Sequence, residues 1–97
     1  MAYEIQFVAS AKEQLRSFAA SDRSRIVDAI EKHLSVAPEN ETRHRKKLRP
    51  NPVAPWELRI GRVRVFYDVE DVSKVTVLAI GTKDRNKLYI GGKEIPL

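Results

Sequence analysis

The chain has 97 residues, 18 Lys and Arg against 13 Asp and Glu, two His and no Cys, for a formal charge of +5. That length makes one small domain over 1–97 with little core to spare, and without cysteine neither a disulfide nor a thiolate metal site can form. The excess charge sits in one stretch, since Arg43, Arg45, Lys46, Lys47 and Arg49 account for all of it; an anionic partner met in one place is implied, either nucleic acid or an acidic protein segment.

Tyr3 to Val8 alternate apolar and polar side chains and predict a first strand. Neither this start nor any later run has the apolar pattern of a signal peptide or a membrane span, so a soluble cytoplasmic protein with no membrane partner is expected. Ser10 with Glu13 three residues on reads as a capping box, opening a helix that carries Ala11, Leu15, Phe18 and Ala19 on one side. Ser21-Asp22 offers the cap of a second helix, whose apolar stripe is Ile26, Val27, Ile30 and Leu34 and which Pro38 ends. The short connection predicts an antiparallel helix pair that needs a sheet to cover. Residues 38–55 have no periodicity and hold four prolines around the basic run, so a long loop is expected, of a length that in compact domains is often functional.

The rest is organised around the next stretch. Trp56 to Ile60 and Val63 to Val69 alternate on either side of Gly61-Arg62, which is a hairpin signal. A two-residue type II′ turn takes glycine first and sets the register: Ile60 opposite Val63, Arg59 opposite Arg64, Leu58 opposite Val65, Glu57 opposite Phe66. Leu58, Ile60, Val63, Val65 and Tyr67 then face a core, and Glu57, Arg59, Arg64 and Phe66 face the other way. Two arginines across a ladder repel by up to about 1 kcal/mol unless an anion lies between them. The face is therefore either a phosphate-binding surface beside a carboxylate, or a solvated face on which long arginine stems spread apart. After a turn at 70–73, Lys74 to Ile80 predicts a fourth strand. Gly81 to Tyr89 leaves the sheet as a polar segment with room for one helical turn, and Ile90 to Leu97 reads as an irregular tail. The class is α+β: an N-terminal strand, an antiparallel helix hairpin and a three-stranded antiparallel meander, giving a four-stranded sheet.

His33 and His44 are too few and too scattered for a metal site, and no cofactor motif is present. What remains is a set of cations with one carboxylate and one tyrosine: Glu57, Arg59, Arg64, Lys83, Arg85 and Tyr89. If the fourth strand pairs with the third, Lys83 and Arg85 leave the sheet near one end and join the arginine pair around a single anion.

The order of these segments resembles the RelE/ParE superfamily of bacterial type II toxins. The resemblance runs from Tyr3 to Tyr89 and rests on a strand, a helix pair, a basic loop ending in Leu48-Arg49, then Trp56-Glu57-Leu58-Arg59-Ile60, Val63 to Val69, Val75 to Gly81, and a charged stretch closing on Leu88-Tyr89. It implies a bacterial cytoplasmic toxin held inactive by a cognate antitoxin, with operator DNA met only through that complex. Members of the RelE branch enter the ribosome and cut mRNA, the ribose 2′-hydroxyl attacking the adjacent phosphate; members of the ParE branch poison DNA gyrase. Arg64 matches the family's third-strand arginine, Lys83 and Arg85 its basic pair after the strand glycine, and Tyr89 its C-terminal tyrosine. On the cutting reading these four form the catalytic set, Arg64 and Lys83 stabilising phosphate charge and Tyr89 stacking on a base or helping proton transfer. The chain departs from the RelE pattern where lysines of the second strand are replaced by Pro55 and Glu57, and where lysine stands for arginine at 83. Other members use a sheet glutamate as general base, a role open to Glu57, which is otherwise a surface partner of Arg59 or Arg64. Lys46 and Lys47 either replace the missing lysines or, with Arg43, Arg45, Arg49 and Arg59, grip RNA through its phosphates. The rival expectation is a chain that only binds: a gyrase inhibitor, or a toxin fold without chemistry that serves as the antitoxin's partner.

Overall fold

The computed structural model describes residues 2–71 and 73–96. The turn expected at 70–73 and the tail expected to Leu97 thus fall in part, at Val72 and Leu97, outside the described residues. The elements are β1 (Glu4–Phe7), α1 (Ala9–Arg16), α2 (Ala20–Leu34), β2 (Arg45–Lys47), β3 (Trp56–Ile60), β4 (Val63–Asp71), β5 (Lys74–Asp84), β6 (Lys87–Ile90) and β7 (Lys93–Ile95). Strands β2 to β7 lie side by side in chain order, each antiparallel to the next, and β1 pairs parallel with the first half of β5.

The α+β class holds, and the β3–β4 hairpin has the expected register residue for residue. Gly61 takes φ +58° while Arg62 keeps a negative φ, as a type II′ turn requires. Among the described residues the sheet has seven strands rather than four. β2 comes from the basic stretch expected to be a loop, and β6 and β7 from the expected polar segment and irregular tail. β2 and β7 are three residues long and mostly charged, and β6 is four residues whose Leu88-Tyr89-Ile90 run does not alternate, so none of them carries the period-two apolar signal of a half-buried strand. Nor does β5 stop at Gly81. A Cβ there would lie 2.3 Å from the Tyr89 carbonyl oxygen, so the missing side chain is what lets β6 approach and the ladder continue to Asp84.

Both helix caps differ from expectation. Val8 still donates to the Val77 carbonyl at 3.1 Å, so strand pairing runs up to the turn. The helix then starts at Ala9 with Val8 as its N-cap, and Ser10 falls inside it. In α2 the cap is Ala19 and makes no side-chain hydrogen bond; Asp22 lies in the first turn instead, where its charge favours the helix dipole. The helices contact the sheet, α1 against β5 and α2 against β3. No helix among the described residues is long and apolar enough to cross a membrane.

The sheet has apolar clusters on both faces. On the helix side, Ala11, Ile26, Ile30 and Leu34 close over Trp56, Leu58, Val65, Tyr67, Val75, Val77 and Ile80. The expected stripe of α2 is present except for Val27, which is 38% exposed. Tyr67 stacks on Trp56, and its hydroxyl donates to the Pro38 carbonyl at 2.7 Å, which ties the end of the helical layer to the sheet. The opposite face has its own small core of Ala54, Phe66, Ala79 and Leu88, with Leu48, Val53, Leu78, Ile90 and Ile95 around it. A register shift between Phe66 and Tyr67 leaves Leu78 as an extra residue in β5, so that Val77 serves the first core and Ala79 the second.

Between the β1 and β6 segments that flank it, the outer edge of β5 would leave a backbone donor unpaired. Gln14 supplies the acceptor: its Oε1 takes the Ile80 N–H at 2.7 Å. Gln14→Leu keeps the bulk and removes the acceptor, so it is expected to lower stability by about 1–3 kcal/mol in urea titrations. An unchanged midpoint would show that solvent reaches Ile80.

Candidate active site

The face away from the helices carries the cluster. Glu57 is the second residue of β3, directly across from Lys46 on β2 and Phe66 on β4, and so shares their face. The residue is 5% exposed, and its carboxylate accepts the Arg59 Nε at 2.8 Å. Arg59 faces Arg64 across the ladder, and the two heads avoid each other. Arg59 turns to Glu57, while Arg64 bends back so that one Nη1 donates to the Gly61 carbonyl at 2.7 Å and the Val63 carbonyl at 3.0 Å. The Arg64 Nε is buried without a hydrogen-bond partner. Burial lowers the Arg64 pKa from its ordinary value, Glu57 raises it and Arg59 lowers it further. A buried guanidinium N–H that finds no acceptor is unsatisfied until one arrives.

Beside this group lies an open depression of about 480 Å³, lined by Glu57, Arg59 and Lys83 with Leu48, Arg49, Pro50 and Asn51 on one wall and Asn86, Leu88 and Ile95 on the other. The loop wall is set by Asn51, whose amide donates to the Arg49 and Ala54 carbonyls and accepts the Val53 and Ala54 N–H groups. The polar side chains of floor and rim are one carboxylate, two guanidinium groups, an ammonium group and two amides. That set suits a phosphodiester: cations for its charge and a carboxylate able to take a proton. Among the described residues no group of three or more His, Asp or Glu is placed to hold a metal ion.

The other expected site residues are dispersed. Arg85 is exposed at the tip of the β5–β6 turn. Tyr89 pairs with Thr82 and lines a different depression together with Gln14 and Phe18 of the helical side, so its ring is on the far side of the sheet from Glu57. The basic run is split by strand alternation, which sends successive side chains to opposite faces. Lys46 goes to the Glu57 face and Arg49 to the depression. Lys47 places its Nζ 5.5 Å from the Trp56 ring on the helix side. Arg45 donates to the Asn40 and His33 carbonyls, closing the C-terminal end of α2, and Arg43 is exposed. Two residues of the depression carried no chemistry in the sequence reading, Asn51 and Asn86.

His33 and His44 meet at 4.8 Å between ring centroids, and the His44 Nδ1 donates to the Arg59 carbonyl at 3.3 Å. Burial, then His44, Lys32 and Arg45, lower the His33 pKa below 6.5. The unfolded chain therefore binds the proton first, so this group costs nothing well above pH 6.5 and takes stability away as pH falls through about 6.5 and below. Urea midpoints measured from pH 8 downwards are expected to be flat and then to decline, and His33→Gln should remove part of that slope.

The fold is found in a solved toxin–antitoxin assembly. A chain of the RelBE2 toxin–antitoxin complex from Mycobacterium tuberculosis superposes with a TM-score of 0.73 at 23% identity, over 86% of this chain and 93% of that one. No curated protein matches the sequence. The family model for the ParE toxin of the type II toxin–antitoxin system parDE matches residues 5–87. The chain belongs to that toxin family, within the RelE/ParE superfamily.

Proposed function

We propose that this chain is an mRNA endoribonuclease toxin that acts on the ribosome, is metal-independent, and does its chemistry on the Glu57 face. The observation that carries the reading is the nearly buried Glu57 carboxylate at the floor of a depression shared with Arg59 and Lys83, next to an Arg64 Nε that lacks an acceptor. In the proposed reaction Glu57 takes the proton of a ribose 2′-hydroxyl. The 2′-oxygen bonds to the adjacent phosphorus, the bond to the 5′-oxygen breaks, and the Lys83 ammonium protonates that oxygen. The products are a 2′,3′-cyclic phosphate and a 5′-hydroxyl. Arg64 and Arg59 hold the charge of the pentacoordinate phosphate, and Lys46 grips the strand from β2. Tyr89, on the helix side, takes no part in this step. A cognate antitoxin is the proposed partner, with an acidic segment over the basic face, and operator DNA is met only through it.

A second reading has its own support, because the matching family model is that of the parDE toxin: inhibition of DNA gyrase without chemistry. One pair of assays separates the two. Purified chain added to mRNA-programmed ribosomes is expected to cut within the ribosome-held codon, and Arg64→Ala to cut slower by about 10²-fold or more. Intact mRNA together with loss of gyrase supercoiling would favour the second reading.

A further inference from the structure

Two neighbouring hairpins of the sheet are closed by two-residue turns in which both residues have positive φ, the geometry of a type I′ turn. Between β6 and β7 the residues are Gly91 and Gly92, at +59° and +80°; between β5 and β6 they are Arg85 and Asn86, at +50° and +70°. The first pair suits the conformation. The second does not, since an L side chain such as arginine is strained in the left-handed region and the favoured pair is Asn-Gly. The strain is not relieved by local bonding: among the described residues neither side chain has a hydrogen-bond or ion-pair partner. Asn86 lines the Glu57 depression, one wall away from Lys83, while Arg85 stands exposed at the tip. A strained turn with two exposed polar heads beside a charged depression is a place where side-chain chemistry outweighs backbone preference.

We infer that the Arg85-Asn86 turn is the base-reading element of this site. The Asn86 amide offers one donor and one acceptor side by side, the pattern that pairs with the edge of an unstacked RNA base. Arg85 takes the phosphate next along the strand. The base lies on the wall formed by Leu88 and Ile95, while the reacting phosphate is held at Glu57, Arg64 and Lys83. The inference rests on the RNA-cleaving reading and adds which part of the chain selects the cut site.

The test replaces the turn with the pair its backbone prefers, Arg85→Asn together with Asn86→Gly. Removing the strain is expected to raise the melting temperature by about 4–8 °C, which a turn with a merely structural role would also show. Cut sites are then mapped on ribosomes programmed with mRNAs that vary one base at a time around the cleaved bond. The wild type is expected to prefer one base at one position, and the variant's ratio of best to worst site to fall by about tenfold. A more stable variant with an unaltered preference overturns the inference, as does a wild type that cuts without preference or a variant that gains no stability. A wild type that cuts nowhere overturns the proposed function, and the base-reading role falls with it.

Discussion

Glu57→Gln is expected to lower kcat for RNA cleavage by about 10²–10⁴-fold, the range for loss of a positioned general base, while KM falls or stays unchanged. The two parameters part because the substitution does two opposite things. It removes the group proposed to take the 2′-hydroxyl proton, and it deletes the one negative charge from a depression that also holds Arg59 and Lys83, so an anionic strand is attracted more strongly. Glutamine retains an acceptor for the Arg59 Nε, which sits at 2.8 Å, and Arg59 is 43% exposed, so solvent screens the lost attraction and folding is little affected. If Glu57 is only a counter-ion for its neighbours, the same variant loses a little stability and keeps its kcat. Steady-state kinetics on programmed ribosomes, read beside a melting curve, distinguish the two.

Phe66→Ala is expected to cost about 3–5 kcal/mol, the range for emptying a buried aromatic site, and to lower the melting temperature of a domain this size by well over 10 °C. Phe66 is fully buried on the face opposite the helices, packed in the cluster with Ala54, Ala79 and Leu88. It pairs directly with Glu57 on β3 and Ala79 on β5, so the cavity would open beside the Glu57 carboxylate. Activity should drop with stability, and Phe66→Leu should recover much of both. Were this face solvated, as its polar alternation also allowed, the change would stay within about 0.5 kcal/mol.

That contrast marks what was legible in the chain and what was not. The β3–β4 hairpin could be read to the residue, because alternation, a central glycine and a two-residue turn all agree; with it came the shared face of Glu57, Arg59 and Arg64. The second core could not, because it is assembled from single residues of distant segments: Phe66, Ala79, Leu88 and Ala54 have no common period. Strands β2 and β7 are hidden by charge, and β6 by its short, unalternating Leu88-Tyr89-Ile90 run. A partial signal existed at Asn86, a turn-forming residue between two paired charged positions, Asp84 and Lys87, but alone it does not distinguish a hairpin from the end of a helical turn. Tyr89 joins the cations in the expected set through its match to the superfamily's C-terminal tyrosine. Strand geometry puts it with Thr82 on the other face, since its neighbour Leu88 is the residue that turns toward Lys83.

The most direct test of the central claim is the chemistry of the cut ends. RNA from programmed ribosomes treated with the wild-type chain should be analysed by mass spectrometry of the fragments, with free RNA in EDTA as a ribosome-free control. Attack by the 2′-hydroxyl at the Glu57, Arg64 and Lys83 face leaves a 2′,3′-cyclic phosphate on one fragment and a 5′-hydroxyl on the other, and that is the predicted result. Fragments ending in a 3′-hydroxyl and a 5′-phosphate, or uncut RNA, would contradict it.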